Sequence, residues 1–116
     1  MKKLVLLSVL LLGFSAIANA QQSKGGFTGP GLKPISIQEA KKLRDDTPVL
    51  LQGKILQFLG DEKYLFSDKS GTITIEIDDK LWGDLSVNEN DTVEIVGEVD
   101  KEFTKVEIEV SRIKKK

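Results

Sequence analysis

From Val49 onward the chain alternates between apolar and polar residues with a period of two. Five stretches are predicted as strands, at residues 49–58, 63–68, 71–77, 91–99 and 105–113, and four of the five alternate. Such a pattern predicts strands that turn one face to a core and the other to water, as in an antiparallel sheet. Five short strands bury their apolar face best when the sheet closes on itself. The pattern therefore predicts an all-β fold with a small closed barrel.

The predicted inward faces consist of aliphatic residues interrupted by two glycines. Gly53 and Gly97 each occupy an inward position in mid-strand, where glycine permits the sharp bends that a small barrel needs. The other inward positions are Val49, Leu51, Ile55, Ile73, Ile75, Ile77, Val93, Ile95, Val99, Val106, Ile108 and Val110.

The second and third strands leave one question of register. Tyr64 and Phe66 lie two residues apart and therefore share one face of the second strand. A two-residue turn at 69–70 turns both rings toward the core, whereas an odd, bulged loop turns both toward solvent. The two-residue turn is favoured, because it also places opposite charges across from each other, on Lys63 and Glu76.

A short helix is predicted before the first strand. Ser36 and Glu39 have the spacing of a capping box, and the apolar residues after Ser36 recur at helical spacing. Thr47-Pro48 then ends the helical pattern, since the residue before a proline avoids helical geometry. The helix is expected over residues 37–45.

The N-terminus has the pattern of a cleaved signal peptide. Lys2 and Lys3 precede an apolar stretch at 4–14, and small residues follow, up to Ala18-Asn19-Ala20. As a helix this stretch spans roughly 16 Å, about half of a bilayer's hydrocarbon core of ~30 Å, which argues against a membrane anchor. We expect residues 1–20 to be removed and the mature protein to be soluble in the periplasm, without membrane insertion. A glycine-rich segment at 21–34 then precedes the folded domain at 35–116.

Composition excludes several kinds of chemistry. The 116 residues include no histidine and no cysteine, so a Ser-His-Asp relay, thiolate catalysis and zinc knuckles are excluded. The net charge is −1, and removing Lys2 and Lys3 leaves −3, which argues against nucleic-acid binding. We therefore expect no enzymatic activity, no catalytic residues, no cofactor, no metal site and no nucleic-acid partner.

Motifs along nearly the whole mature chain resemble one family. They are Gly25-Gly26-Phe27-Thr28-Gly29-Pro30, Gly53-Lys54-Ile55, Tyr64-Leu65-Phe66-Ser67-Asp68, Gly71-Thr72-Ile73, Trp82 and Val96-Gly97-Glu98-Val99-Asp100-Lys101. In this order they resemble the bacterial OB-fold (BOF) family of small periplasmic proteins. The resemblance implies a five-stranded Greek-key OB-fold barrel preceded by one short helix, and an association with envelope stress tolerance. It implies no established enzymatic reaction and no nucleic-acid binding.

Charged residues concentrate on the predicted outer faces of the last three strands. Six carboxylates stand there against Lys105 alone, namely Glu76, Asp78, Glu94, Glu98, Glu107 and Glu109. This surface is either a solvated face that discourages edge aggregation or a site for a cationic ligand. The C-terminal lysines at 114–116 are expected to form a frayed tail, the alternative being a weak contact with anionic envelope polymer or lipid.

A ligand site is predicted on the outer face of the second and third strands, where OB folds bind their ligands. Its candidate residues are Lys63, Thr72, Thr74, Glu76 and Trp82. Either a cationic or saccharide-like ligand lies over this face and against the Trp82 indole, or Trp82 only plugs the barrel end. The predicted function is that of a non-enzymatic periplasmic binding protein that supports envelope stress tolerance. The alternative is an interaction factor that contacts an outer-membrane or wall-synthesis protein without a small-molecule pocket.

Overall fold

The computed structural model describes residues 31–116, so the predicted signal peptide and most of the glycine-rich segment lie outside the described residues. No helix within residues 31–116 is long and apolar enough to cross a membrane. The elements in chain order are α1 (Ile37–Ala40), β1 (Pro48–Gly60), β2 (Lys63–Asp68), β3 (Gly71–Glu76), α2 (Asp79–Trp82), β4 (Val93–Glu102) and β5 (Lys105–Lys115).

The five strands close into a barrel in the order β1-β2-β3-β5-β4. β3 and β5 pair in parallel, and the other neighbours pair antiparallel. β1 closes the barrel by pairing with both of its neighbours. Its residues 48–53 pair with β4, and its residues 54–60 pair with β2. The predicted all-β, five-stranded Greek-key barrel is confirmed.

The core fills the barrel with the residues that the alternation predicts, except Val106, which is only partly buried. Phe66 and the aliphatic residues around it are fully or almost fully buried, and α1 adds Ile37 and Ala40. Branched aliphatic side chains suit this position, since they pack well on a pleated surface that faces a closed interior. The buried strand residues are Val49, Leu51, Ile55, Phe66, Ile73, Ile75, Ile77, Val93, Ile95, Val99, Ile108 and Val110.

Two mid-strand glycines allow neighbouring strands to approach closely. A Cβ atom on Gly53 would overlap the Ser67 carbonyl oxygen of β2. A Cβ atom on Gly97 would likewise overlap the Glu109 carbonyl oxygen of β5, beside an irregularity in the β4–β5 register. Backbone oxygens cannot move aside without breaking the ladder, so both positions require glycine.

The register of β2 against β3 is the one that a two-residue turn predicts. Phe66 pairs with Ile73, and Lys63 pairs with Glu76. Phe66 is fully buried, whereas Tyr64 on the same face is only half-buried. The inward orientation of Phe66 is thereby confirmed, and Tyr64 lies where the core meets the surface.

The helix before β1 is shorter than the predicted span of 37–45. The capping box is present, with the Glu39 amide donating to Ser36 Oγ and the Ser36 amide donating to Glu39 Oε1. After Ala40, however, the chain continues in tighter i to i+3 turns and is drawn toward β4. There the Asp46 amide donates to the Val99 carbonyl at 2.7 Å. This tertiary pairing ends the helix before the basic residues could extend it.

The C-terminal lysines belong to the barrel. β5 extends to Lys115, and the Lys116 amide donates to the Thr92 carbonyl at 2.9 Å. Lys114 lies 3.4 Å from Glu94, and Lys115 lies 3.6 Å from Asp91. The prediction of a frayed tail is wrong, because the carboxylates of the neighbouring β4 segment neutralise these lysines.

Candidate functional site

Three aromatic rings line a groove at the surface of β1, β2 and α2. The ring centroids of Phe58 and Tyr64 are 5.2 Å apart, and those of Tyr64 and Trp82 are 5.5 Å apart at 67°. These tilted and edge-to-face arrangements are the favourable ones for aromatic pairs. We call this surface the aromatic groove; it encloses about 220 Å³ and is lined by Ile55, Leu56, Gln57, Phe58, Tyr64, Trp82, Val87, Asn88 and Glu89.

An irregularity in β1 brings Phe58 to this groove. Ile55 pairs with Phe66, but the next pair is Gln57 with Leu65, so Leu56 is an extra residue. One inserted residue reverses which side chains face inward. Phe58 therefore lies opposite Tyr64 and on the same face.

The sequence pattern did not single out Phe58, although a signal was present. Apolar residues stop alternating near the end of the first strand, where Leu56, Phe58 and Leu59 crowd together. A break in period two within an apolar strand is typical of a β-bulge. Phe58 remains 61% exposed in the structure, and Leu56 and Leu59 are each 46% exposed.

The helical turn α2 positions Trp82. Asp78 caps this turn by accepting from the Lys80 amide at 2.9 Å, and Gly83 follows with φ 53°. Glu62, from the β1–β2 turn, accepts from the Asp79 amide at 3.0 Å and from the Ile77 amide at 2.8 Å. These contacts hold the half-buried indole against both the core and the groove.

The structure places Trp82 both against the core and at the aromatic groove. Its side chain is partly buried against the core cluster, as expected of a plug. Part of it also lines the aromatic groove, beside the polar side chains of Gln57, Asn88 and Glu89. Exposed ring surface next to a few convergent polar groups is the usual chemistry of a small-molecule site.

The other predicted site residues lie elsewhere. Lys63 and Glu76 line a small polar groove of about 80 Å³ on the outer face of the barrel. We call it the carboxylate groove; its lining residues are Lys63, Glu76, Asp100, Glu102, Lys105 and Glu107. Thr72 is exposed and Thr74 is half-buried on β3, and neither lines either groove. The structure therefore brings Lys63 and Glu76 together but does not bring Trp82 to them.

Lysine side chains occupy the carboxylate groove. Lys63 Nζ donates to the two carboxylate oxygens of Glu107 at 3.0 and 3.3 Å, and Lys105 Nζ lies 3.6 Å from the same group. The hydrogen bond to Glu107 and its negative charge raise the pKa of Lys63 above 10.5, with Glu76 and Asp100 adding to the effect.

The prediction of unpaired carboxylates on the outer faces is corrected by the structure, because some of them are buried or paired. Glu107 was expected to be exposed there but is only 8% exposed. Glu94 accepts from Gln52 at 2.9 Å and also pairs with Lys114. The hydrogen bond from Gln52, together with the charges of Lys114 and Lys116, lowers the pKa of Glu94 despite partial burial. Lys105 is therefore not the only cation that faces these carboxylates.

Metal-binding geometry is absent from the part of the chain that the structure describes. Within residues 31–116, no group of three or more carboxylates is arranged to hold a metal ion.

A closed five-stranded barrel of this topology, with a capped helical turn before β1 and a further one between β3 and β4, defines an OB-fold protein. The chain matches the family model described as bacterial OB fold (BOF) protein over residues 13–115. It belongs to that family.

Relatives extend over most or all of the chain. Protein YgiW of Escherichia coli is 48% identical over an alignment of 129 positions, which covers 99% of this chain and 98% of the relative. The calcium-regulated OB-fold protein CarO of Pseudomonas aeruginosa is 38% identical over 87 positions, covering 73% and 75%. A solved structure of YgiW from E. coli has a TM-score of 0.69 at 47% identity, covering 80% of this chain and all of that one.

Proposed function

We propose that this protein is a non-enzymatic binding protein of the periplasm that supports envelope stress tolerance. In this proposal the aromatic groove binds a small ligand of saccharide-like or cationic chemistry. The observation that carries it is the row of Phe58, Tyr64 and Trp82 beside the polar side chains of Gln57, Asn88 and Glu89. Of the residues predicted for the ligand site, Trp82 alone lines this groove.

The lining of the groove suits both ligand chemistries. The exposed ring of Phe58 and the edge of Trp82 give a flat ligand an apolar surface. Amide and carboxylate groups at Gln57, Asn88 and Glu89 can exchange hydrogen bonds with hydroxyl groups. A cation placed between Glu89 and a ring face gains Coulomb attraction and a cation–π contact of about 0.5–2 kcal/mol.

The carboxylate groove is a poorer site for a cationic ligand. Lys63 and Lys105 already pair with Glu107, so an incoming cation reaches this carboxylate only by displacing them. Its volume of about 80 Å³ is also much smaller than the roughly 220 Å³ of the aromatic groove. The aromatic groove needs no such displacement, because its rings are accessible as they stand.

Location in the periplasm rests on the N-terminal residues. A basic start, an apolar stretch at 4–14 and Ala18-Asn19-Ala20 support export with cleavage after Ala20. Intact mass of the protein recovered from a periplasmic extract tests this. A chain beginning at Gln21 is expected, and retention of residues 1–20 in a membrane fraction would contradict it.

The emission of Trp82 tests the ligand proposal, since Trp82 is the sole tryptophan. Mature protein is titrated with polyamines, cationic peptides and wall saccharides. For a ligand that binds, Phe58→Ala is expected to weaken affinity at least about tenfold, or ~1.4 kcal/mol. Phe103→Ala is the matched control, because Phe103 is also exposed but lies in the β4–β5 turn. Equal affinities in the two variants would place the site elsewhere.

A second function, docking to an envelope protein, is favoured by one observation. Leu56 and Leu59 are exposed in the same part of β1 as Phe58, which extends the apolar surface beyond the groove. The discriminating experiment is a pull-down from envelope extract with wild-type protein, Leu59→Ser and Phe58→Ala. Capture of one protein that both substitutions abolish, without any small molecule altering the Trp82 emission, would favour this alternative.

A further inference from the structure

A third groove lies where β1 changes partner from β4 to β2. It encloses about 390 Å³, more than the aromatic or the carboxylate groove and within the range of small-molecule sites. We call it the lysine groove; its lining residues are Gln52, Gly53, Lys54, Ser67, Asp68, Lys69 and Thr92. None of them lines the aromatic groove or the carboxylate groove.

Four lining side chains offer donors that the fold does not use. Within residues 31–116, the side chains of Lys54, Ser67, Lys69 and Thr92 make no hydrogen bond, and neither lysine has a salt-bridge partner. The lysines differ in this respect from Lys63, Lys105 and Lys114, which all pair with carboxylates. Two lysines and two hydroxyl residues therefore line one groove with side chains that have no acceptor among the described residues.

The one carboxylate in the lining is already occupied. Asp68 Oδ1 accepts from the Ser70 amide at 2.7 Å and the Ser70 hydroxyl at 2.6 Å, and more weakly from Gly71. Asp68 Oδ2 accepts from the Ile37 amide at 2.9 Å. These four hydrogen bonds offset the charge of Asp68, and within residues 31–116 neither Lys54 nor Lys69 pairs with it.

We propose that the lysine groove binds a small anion, through a phosphate or carboxylate group on an organic ligand. Lys54 and Lys69 supply positive charge, and the hydroxyl groups of Ser67 and Thr92 donate hydrogen bonds to the anion's oxygens. Charge-assisted hydrogen bonds of this kind are stronger than neutral ones. The site is independent of the aromatic groove and of the ligand proposed there.

The number of charges points to a small ligand. Two lysines on a protein whose mature net charge is −3 release few counterions from a polyanion, so extended nucleic acid is disfavoured. A compact anion instead contacts both ammonium groups at once. Because these side chains are exposed, its binding should weaken as salt is raised.

Amide NMR of the mature protein tests the proposal with two probes, inorganic phosphate and glutarate. Chemical-shift changes are expected at the amides of Lys54, Ser67, Lys69 and Thr92. Lys54→Gln and Lys69→Gln should each weaken binding at least about threefold, and the double variant more. Lys42→Gln is the matched control, because it removes the same charge from an exposed position outside the groove.

The two probes show which acidic group the lysine groove binds. Binding of phosphate alone, or of glutarate alone, supports the site and identifies the group it takes. Shifts scattered over lysines outside the groove, equal weakening by Lys42→Gln, or no saturable binding of either probe would overturn the proposal. Phe58→Ala should leave these shifts unchanged, so failure of the aromatic-groove proposal is measured separately.

Discussion

The aromatic groove and the carboxylate groove are both outward-facing surfaces of one barrel, yet they are available to ligands to very different degrees. In the carboxylate groove, Lys63 and Lys105 both pair with Glu107, and the groove encloses only about 80 Å³. In the aromatic groove, Phe58 is 61% exposed, and within residues 31–116 its ring packs against Tyr64 as its one aromatic neighbour. Ligand binding depends on the groups that the fold leaves without partners, and counting charges along strands does not reveal which groups those are.

The cause of the difference lies in how each surface is assembled. Cross-strand neighbours on regular strands bring opposite charges within reach, as for Lys63 and Glu76. At the bulged end of β1 the pairing is interrupted, and side chains there find fewer partners. The irregular pairing therefore places Phe58 on the face of Tyr64 at the barrel end, where most of its ring stays exposed.

The largest effect is expected from Trp82→Ala. A fully buried tryptophan costs about 3–5 kcal/mol when truncated, and Trp82 is half-buried, so the unfolding free energy should fall by about 2 kcal/mol. Urea unfolding followed by circular dichroism measures it, with Trp82→Phe as a control that keeps most of the packing. A change below ~0.5 kcal/mol would mean that Trp82 contributes to the groove surface without supporting the barrel end.

The Asp68 carboxylate is expected to make stability depend on acid pH. Partial burial disfavours its charge, but hydrogen bonds from Ser70, Ile37 and Gly71 outweigh burial and hold its pKa below the ordinary 3.8. The stabilisation is therefore complete above the unfolded-state value of 3.8 and is lost as the pH falls through the lower folded-state pKa.

Asp68→Asn tests this dependence. It should cost about 1 kcal/mol near neutral pH, because backbone donors lose a charged acceptor but keep an amide oxygen. It should also flatten the fall in stability below pH 4 in chemical unfolding at a series of pH values. If the unfolding free energy of Asp68→Asn is lower by the same amount at every pH and falls in acid as steeply as that of wild type, the acid dependence belongs to other carboxylates such as Glu94.

Glu107→Gln tests the ion pairs of the carboxylate groove. It removes the charge of the nearly buried Glu107 and leaves the half-buried Lys63 without its charged partner, so a fall of a few degrees in Tm is expected. Glu76→Gln, on the same face but half-buried, is the comparison and should change Tm much less. Neither variant should alter ligand affinity at the aromatic groove. If Glu76→Gln lost ligand affinity, the ligand would bind on the outer face of β2 and β3, as the sequence predicts.

The smallest effect on stability is expected from Phe58→Ala. Its ring is mostly exposed, so the unfolding free energy should change by less than about 0.5–1 kcal/mol. Phe103→Ala in the β4–β5 turn should change the unfolding free energy equally little. Unlike Phe58→Ala, it should leave ligand affinity unchanged. A large loss of stability in Phe58→Ala alone would mean that this ring supports the fold and that its loss of affinity reports unfolding.

Periodicity and local chemistry allowed much of the fold to be predicted from the sequence. β2 has the predicted bounds, and the inward sets of β3 and β4 are buried as the alternation requires. The Ser36–Glu39 cap and the β2–β3 register follow from residues close together in the chain. Such features are predictable because a period of two, a cap or a short turn depends on neighbours within a few residues.

The features that shape the candidate sites depend on contacts between distant parts of the chain. The bulge at Leu56 brings Phe58 beside Tyr64, β4 ends the helix after Ala40, and Lys63 reaches Glu107 across β3. The sequence alone determined the strands, their inward faces and the absence of histidine and cysteine. The tertiary structure decided which charges are neutralised and which rings and donors stay free, because both depend on the side chains that barrel closure brings together.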